Sequence, residues 1–251
     1  MSDLRTQWLF SGIPIDVLDI LERLVRFEQR VTPSDIASAC GLFEEFEIKS
    51  AADDLIFSRL AALGGKCDSS ALENNIVYDF PNMQLHRVDA RLRVRHFIPL
   101  NNTTPSALLT VKKPRPVQDS FGVREFEAEL ALSEKEADHL VSDLVRAGFI
   151  VVSSYQRIRH SIRLATLPVK VDVDLFPDIG RYMEIEGDEK AALDLARELG
   201  VGAEHFIPLP YDTLHEEWLI ARGQVPTDFI RFSGDISEVI AEERKYLSIL
   251  L

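Results

Sequence analysis

Charged side chains recur at every second position in six stretches of this chain, and their types divide into two chemistries. Glu45, Glu47 and Lys49 share one face, as do Glu125, Glu127 and Glu129, and as do Lys170, Asp172 and Asp174 with Glu184 and Glu186 on the following strand. Arg91, Arg93 and Arg95 form a guanidinium row, Arg157 and Arg159 a shorter one, and Lys112 closes Leu109–Lys112. Carboxylate oxygens are hard ligands suited to Mg²⁺ or Mn²⁺, whereas Arg and Lys suit phosphate oxygens. Like charges ~4 Å apart repel by ~4 kcal/mol at an effective dielectric near 20. Clustered carboxylates therefore want cations and clustered guanidiniums want anions. Together they imply a metal-bound polyphosphate, although internal Arg–carboxylate pairing would neutralise the same charges with no ligand.

Strict alternation is the signature of strands, and Pro177 and Gly180 turn Val169–Leu175 into Tyr182–Gly187 as a hairpin. The partner faces are apolar: Phe46 and Ile48, Leu92 and Val94, Leu109 and Val111, Val171 and Val173, Ile185. A solvated charged face would satisfy any one such strand. Eight strands built this way, with helices covering the apolar faces, must instead turn their charged faces together, and a closed sheet does so while removing the edges. The expected fold is α+β: an eight-stranded antiparallel closed β-barrel, a tunnel with a charged lumen, jacketed by helices.

The remaining strands are expected at Asn74–Phe80, Val88–Phe97, Ala107–Lys113, Val123–Leu130 and Phe149–Arg163. Helices are expected at Ile15–Arg30, from Thr32, at Ala51–Leu63, at Ser133–Ala147 with a Ser133/Glu136 capping box, and at Asp188–Leu199 before Gly200. Two more follow, at Tyr211–Arg222 and Asp235–Leu251. No βαβ alternation appears, which favours a largely antiparallel sheet.

With 251 residues, 46% of them apolar, the chain can bury a proper core. Its net charge of −13 disfavours a nonspecific nucleic-acid or anionic-membrane surface. Cys40 and Cys67 form no CxxC, no signal pattern or long apolar run stands out, and the expectation is a cytoplasmic protein. Gly64-Gly65-Lys66-Cys67 lacks the spacing of a phosphate-binding loop. The six histidines show no paired ligand spacing, and no GxSxG elbow is present.

In order, Glu45-x-Glu47-x-Lys49, Arg93-Val94-Arg95, Thr110-Val111-Lys112, Arg124-Glu125-Phe126-Glu127, Arg157-Ile158-Arg159, Asp172 and Glu184-Ile185-Glu186 resemble the motif series of the CYTH superfamily, the triphosphate tunnel metalloenzymes. The resemblance spans about 43–187. It implies a divalent-metal-dependent enzyme, with Mg²⁺ or Mn²⁺ as cofactor and a triphosphate-bearing small molecule as partner. It assigns metal binding to Glu45, Glu47, Glu127, Asp172, Glu184 and Glu186. Phosphate binding falls to Arg93, Arg95, Lys112, Arg157 and Arg159, and the activation of water to Lys49. The first reading is a triphosphatase acting on inorganic tripolyphosphate, thiamine triphosphate or a nucleoside triphosphate. The alternatives are a class IV adenylyl cyclase and a noncatalytic sensor of a polyphosphorylated ligand. The expected organisation is an N-terminal helical extension over 1–42, a tunnel domain over 43–207 and a C-terminal helical extension over 208–251. Those extensions are candidates to jacket the barrel, pair subunits as a homodimer or close one mouth.

Overall fold

The computed structural model describes residues 43–88, 90–100, 106–114 and 123–250. The helices expected within 1–42 lie outside the described residues, as does Cys40. The strands are β1 (Phe43–Ala51), β2 (Gly65–Asp79), β3 (Arg91–Pro99), β4 (Ser106–Pro114), β5 (Val123–Ser133), β6 (Ile150–Leu164), β7 (Val169–Phe176), β8 (Gly180–Gly187) and the short β9 (Phe229–Ile230). The helices are α1 (Ile56–Ala62), α2 (Glu134–Arg146), α3 (Glu189–Glu198), α4 (Tyr211–Ile220) and α5 (Ile236–Leu247).

The sheet order is β2-β3-β4-β5-β1-β8-β7-β6, antiparallel at every step, and β6 also pairs with β2 from Gly65 opposite Leu164 to Asp79 opposite Ile150. Each of these eight strands thus has a partner on both sides. Two later segments take up strand ends that these pairings leave over. β9 pairs in parallel with β6 at Ser154 and Tyr155, beyond the reach of β7. Phe206 bridges Ser50 of β1, beyond the last β1–β5 pair at Glu47 and Val123.

Two boundaries differ from expectation for physical reasons. β2 begins at Gly65 rather than Asn74, because the polar run Gly65–Ser70 does not alternate and is held instead by long-range pairing to β6, with a register shift between Cys67 and Ser69. Gly65 is also needed there, since a Cβ would meet Leu60 O at 2.8 Å. The helix expected from Ala51 begins only at Ile56, because β8 pairing carries β1 through to Ala51.

Apolar alternation on the outward face builds the core. Leu92, Val94, Leu109 and Val111 bury against Ala137, Leu140 and Leu144 of α2 and against Phe149. Phe46, Ile48, Val171, Val173 and Ile185 bury against Phe57 and Leu60 of α1 and Leu195 of α3. Leu72 and Ile158 are covered by Ile236, Val239 and Ile240 of α5. Each fully buried side chain of this kind contributes ~1.5–3 kcal/mol relative to exposure. With the outward face committed to the helices, the alternate residues are forced onto the inner face.

Candidate functional site

The inner face is charged and buried. Asp172 and Asp174 are 0% exposed, and Arg93, Arg95, Arg157, Arg159, Glu73, Glu184 and Glu186 are all buried. A face of solvated charges is therefore not what these strands make.

β1 and β8 set the acidic cluster. Their register places Glu47 opposite Glu186 and Lys49 opposite Glu184. Carboxylate oxygens of Glu47, Glu184 and Glu186 lie within 4.8 Å of one another. Burial drives the Glu47 carboxyl well above its ordinary range, and Glu184 and Glu186 add to that rise against weaker opposition from Lys49 and Lys112. Burial raises Glu186 as well, with Asp172 next. Lys170 shields this side, its Nζ lying 2.6 Å from Glu186 Oε2 and 3.1 Å from Asp172 Oδ2. Three converging hard oxygens, two of them on carboxyls that burial holds above their ordinary range, fit a divalent cation.

The basic residues come from β3 and β6. Arg93 donates to the Tyr155 hydroxyl at 2.9 Å and Arg95 Nε to Asn75 Oδ1 at 3.1 Å, with Arg95 Nη1 3.4 Å from Glu73 Oε1. Burial, then neighbouring Arg93, pulls Arg95 down to about 10, which still leaves it protonated at neutral pH. Burial opposes ionisation of Tyr155, yet Arg93, Arg157 and Arg95 bring its hydroxyl down to about 8. Tyr155 thus reports a strongly positive field within the same interior that holds the acidic cluster.

Arg157 and Arg159 are engaged differently. Arg157 Nε donates to Glu73 Oε2 at 2.6 Å and its Nη1 to Asp174 Oδ2 at 2.9 Å. Arg159 donates to both Asp174 oxygens at 2.7 and 2.6 Å, meets Asp172 Oδ2 at 2.6 Å and pairs with Glu184. Burial alone would raise Glu73 and Glu184, but Arg157 and Arg95 at Glu73, and Arg159 and Arg157 at Glu184, hold both below the carboxylate range. The internal pairing that the sequence left open is therefore real on the β6–β7 side.

Of the candidate residues, Glu47, Asp172, Glu184 and Glu186 come together, and Lys112 acts on Glu47 from β4. The side chains of Glu45 and Glu127 lie outside the described residues; their backbones pair with Glu125 and Lys112 respectively. Sequence reasoning missed Glu73, Tyr155 and Tyr211, and left Asp174 out of the site. Asp174 did stand in the alternating row of β7, so its pattern was visible. Glu73 was hidden by the late strand start, and Tyr211 lies on a helix with no alternation to mark it.

Lys49 sits where α4 reaches the sheet. Its Nζ donates to Leu209 O at 3.2 Å, lies 4.0 Å from Glu47 Oε1 and stands 4.1 Å from the centroid of the Tyr211 ring. Burial, together with Glu184, Asp174 and Glu47, keeps the Tyr211 hydroxyl far above its ordinary value and hence neutral. α4 therefore does more than cover the outside of the sheet.

A buried, two-signed inner face on an eight-stranded antiparallel sheet defines the class of protein. The CYTH domain family model matches residues 44–208, and the chain belongs to that family. Solved structures share the fold. The PH1819 protein of Pyrococcus horikoshii is 26% identical at a TM-score of 0.54, covering 69% of this chain and 98% of that one. A candidate adenylate cyclase from Vibrio parahaemolyticus is 18% identical at 0.55, covering 68% and 97%. A candidate adenylyl cyclase from Hippeastrum, described as having a dominant triphosphatase activity, is 16% identical at 0.52, covering 72% and 96%. No curated protein matches the sequence. No helix among the described residues is long and apolar enough to cross a membrane.

Proposed function

We propose that this chain is a divalent-metal-dependent triphosphatase, and that its eight strands form a closed tunnel in which the β2–β6 pairing completes the ring. One observation carries this reading. The same buried interior brings three carboxylates together within 4.8 Å, two of them, Glu47 and Glu186, resisting ionisation, and holds a guanidinium cluster that promotes it in Tyr155. A ligand that relieves both must itself carry cation and anion, and a metal-bound triphosphate does.

In this reading Glu47, Glu184 and Glu186 hold the cation, with Asp172 behind them and Glu45 and Glu127 as further candidates. A divalent cation there supplies neutralisation of charge on the phosphate oxygens. Arg93, Arg95 and Lys112 bind the phosphate oxygens and fix the chain of phosphoryl groups. Arg157 and Arg159 act chiefly by holding Glu73, Asp172, Asp174 and Glu184 in place, because each already meets two or more carboxylates. Lys49 Nζ orients the attacking water, whose proton passes to a phosphate oxygen as the new bond forms. The water oxygen bonds to the terminal phosphorus as the bond to the bridging oxygen breaks, which releases orthophosphate and leaves the shortened chain.

The test is product analysis with Mg²⁺ or Mn²⁺ on tripolyphosphate and ATP in parallel, for wild type and Glu47→Gln. Orthophosphate from wild type, lost in Glu47→Gln with the fold intact, is the expected result. Cyclic AMP with stoichiometric pyrophosphate overturns the hydrolase in favour of a cyclase. Unchanged turnover in Glu47→Gln overturns the metal assignment.

A further inference from the structure

A lysine amine on a four-carbon stem is a mobile point charge, and one asked to address a single phosphorus atom needs something to hold it. The groups that hold Lys49 come from the segment after α3. Ile207 N donates to Lys49 O at 2.8 Å and Phe206 bridges Ser50, so this segment is stitched to β1 directly behind Lys49. Leu209 O then accepts from Lys49 Nζ, and the Tyr211 ring lies 4.1 Å beneath it. Tyr211 is itself fixed, packed against Phe176 at 4.0 Å and edge-on to Tyr182 at 5.2 Å between ring centroids. One turn further along, His215 Nε2 lies 3.1 Å from Asp178 Oδ2 in the β7–β8 turn, which anchors α4 to the sheet that carries Glu184.

We infer that Tyr211 is a positioning residue for Lys49: its ring face, with the Leu209 carbonyl, fixes the Lys49 amine beside Glu47 and Glu184 and thereby sets the rate of triphosphate hydrolysis. The inference rests on the function proposed above. The ring face is what meets Lys49, since a cation is drawn to the π-system, whereas the hydroxyl addresses Glu184 and its share is read separately in Tyr211→Phe. The two conservative variants are therefore expected to differ. Tyr211→Phe keeps the face; Tyr211→Leu removes it while filling much of the volume.

The experiment has two readouts. In ¹³C-lysine-labelled protein, with the Lys49 ε-methylene assigned by its disappearance in Lys49→Arg, an upfield ring-current displacement is expected in wild type and Tyr211→Phe and is lost in Tyr211→Leu. In Mg²⁺-dependent tripolyphosphate hydrolysis, Tyr211→Leu is expected to lower kcat about tenfold with KM within about twofold, as for a misplaced reacting group. Tyr211→Phe is expected to retain nearly full kcat, and Tyr211→Leu to have no further effect in a Lys49→Gln background. Tyr211→Phe as impaired as Tyr211→Leu, an undiminished Tyr211→Leu effect without Lys49, or an unmoved Lys49 resonance would each overturn the inference. Wild-type protein inert towards every triphosphate would sink the functional reading alone, and the resonance would still decide whether Tyr211 holds Lys49.

Discussion

The buried carboxylates of the inner face fall into two regions that neutralise charge in different ways. On the β2–β6–β7 side, Glu73 and Asp174 meet Arg157 and Arg159 at 2.6 to 2.9 Å, and every charge there has a protein partner. On the β1–β8 side, Glu47 has Lys49 at 4.0 Å and faces two other carboxylates, so the protein leaves repulsion in place. Glu184 belongs to both, pairing with Arg159 while sharing the acidic cluster. The difference separates scaffold from site. A self-neutralised network fixes geometry whether or not anything binds, whereas an under-neutralised one stores repulsion that a bound cation relieves.

The largest expected effects probe that division directly. Glu47→Gln and Glu184→Gln should each lower metal-dependent turnover by on the order of 10³-fold, the rate equivalent of several kcal/mol of lost charge stabilisation. Only Glu184→Gln should also destabilise the fold, because of the two it is Glu184 that has a guanidinium in contact among the described residues. Equal stability losses in urea unfolding would erase the distinction between the regions. Asp174→Ala should act in the reverse sense, leaving Arg157 and Arg159 short of a buried partner and costing about 3–5 kcal/mol of folding stability. Urea midpoints near wild type would show that the β6–β7 pairs are not scaffold.

A gentler test uses Tyr155 as a reporter of the positive field. Its folded value of about 8 lies below the ordinary tyrosine value near 10, so folding favours the ionised form. The sign follows from linkage: this contribution to stability is fully present above about 10 and is lost as pH falls through about 8. Ultraviolet titration should show one tyrosine ionising near pH 8, absent in Tyr155→Phe. Tripolyphosphate should move that step upward by neutralising the guanidiniums. A step that ignores tripolyphosphate would mean that the phosphates do not bind against Arg93 and Arg95.

Most of the fold was legible because both faces of its strands carry a period-2 signal, apolar for the helices and charged for the interior. Phe46-Glu47-Ile48-Lys49 and Val171-Asp172-Val173-Asp174 could be assigned to a face from the sequence alone. Glu73 could not, since Ser69–Ser70 and Asn74–Asn75 break the alternation and only pairing with β3 and β6 fixes its direction. The partition of guanidiniums was equally invisible. Arg93 and Arg159 look alike in sequence, and only the order β6-β7-β8 gives Arg159 its three carboxylates, two from β7 and Glu184 from β8. Lys49 was legible as a residue, but its support from Leu209 and Tyr211 depends on a tertiary return of the chain across some 160 positions.

The smallest expected effect lies on the outward face and tests whether the two faces are energetically separate. Ser133 caps α2, its Oγ accepting from Glu136 N at 3.3 Å while its own N–H donates to Glu136 Oε2 at 2.8 Å. Ser133→Ala should cost ~1 kcal/mol, the usual worth of such a cap, visible as a small drop in the urea midpoint. α2 packs on Leu92, Val94 and Val111, the residues that alternate with Arg93, Arg95 and Lys112 along the same strands. If the strands transmit no strain, kcat and KM for tripolyphosphate stay at wild-type values despite that drop. A raised KM would mean that the guanidinium row is held by the packing behind it as much as by its own hydrogen bonds, and the outward core would then count as part of the site.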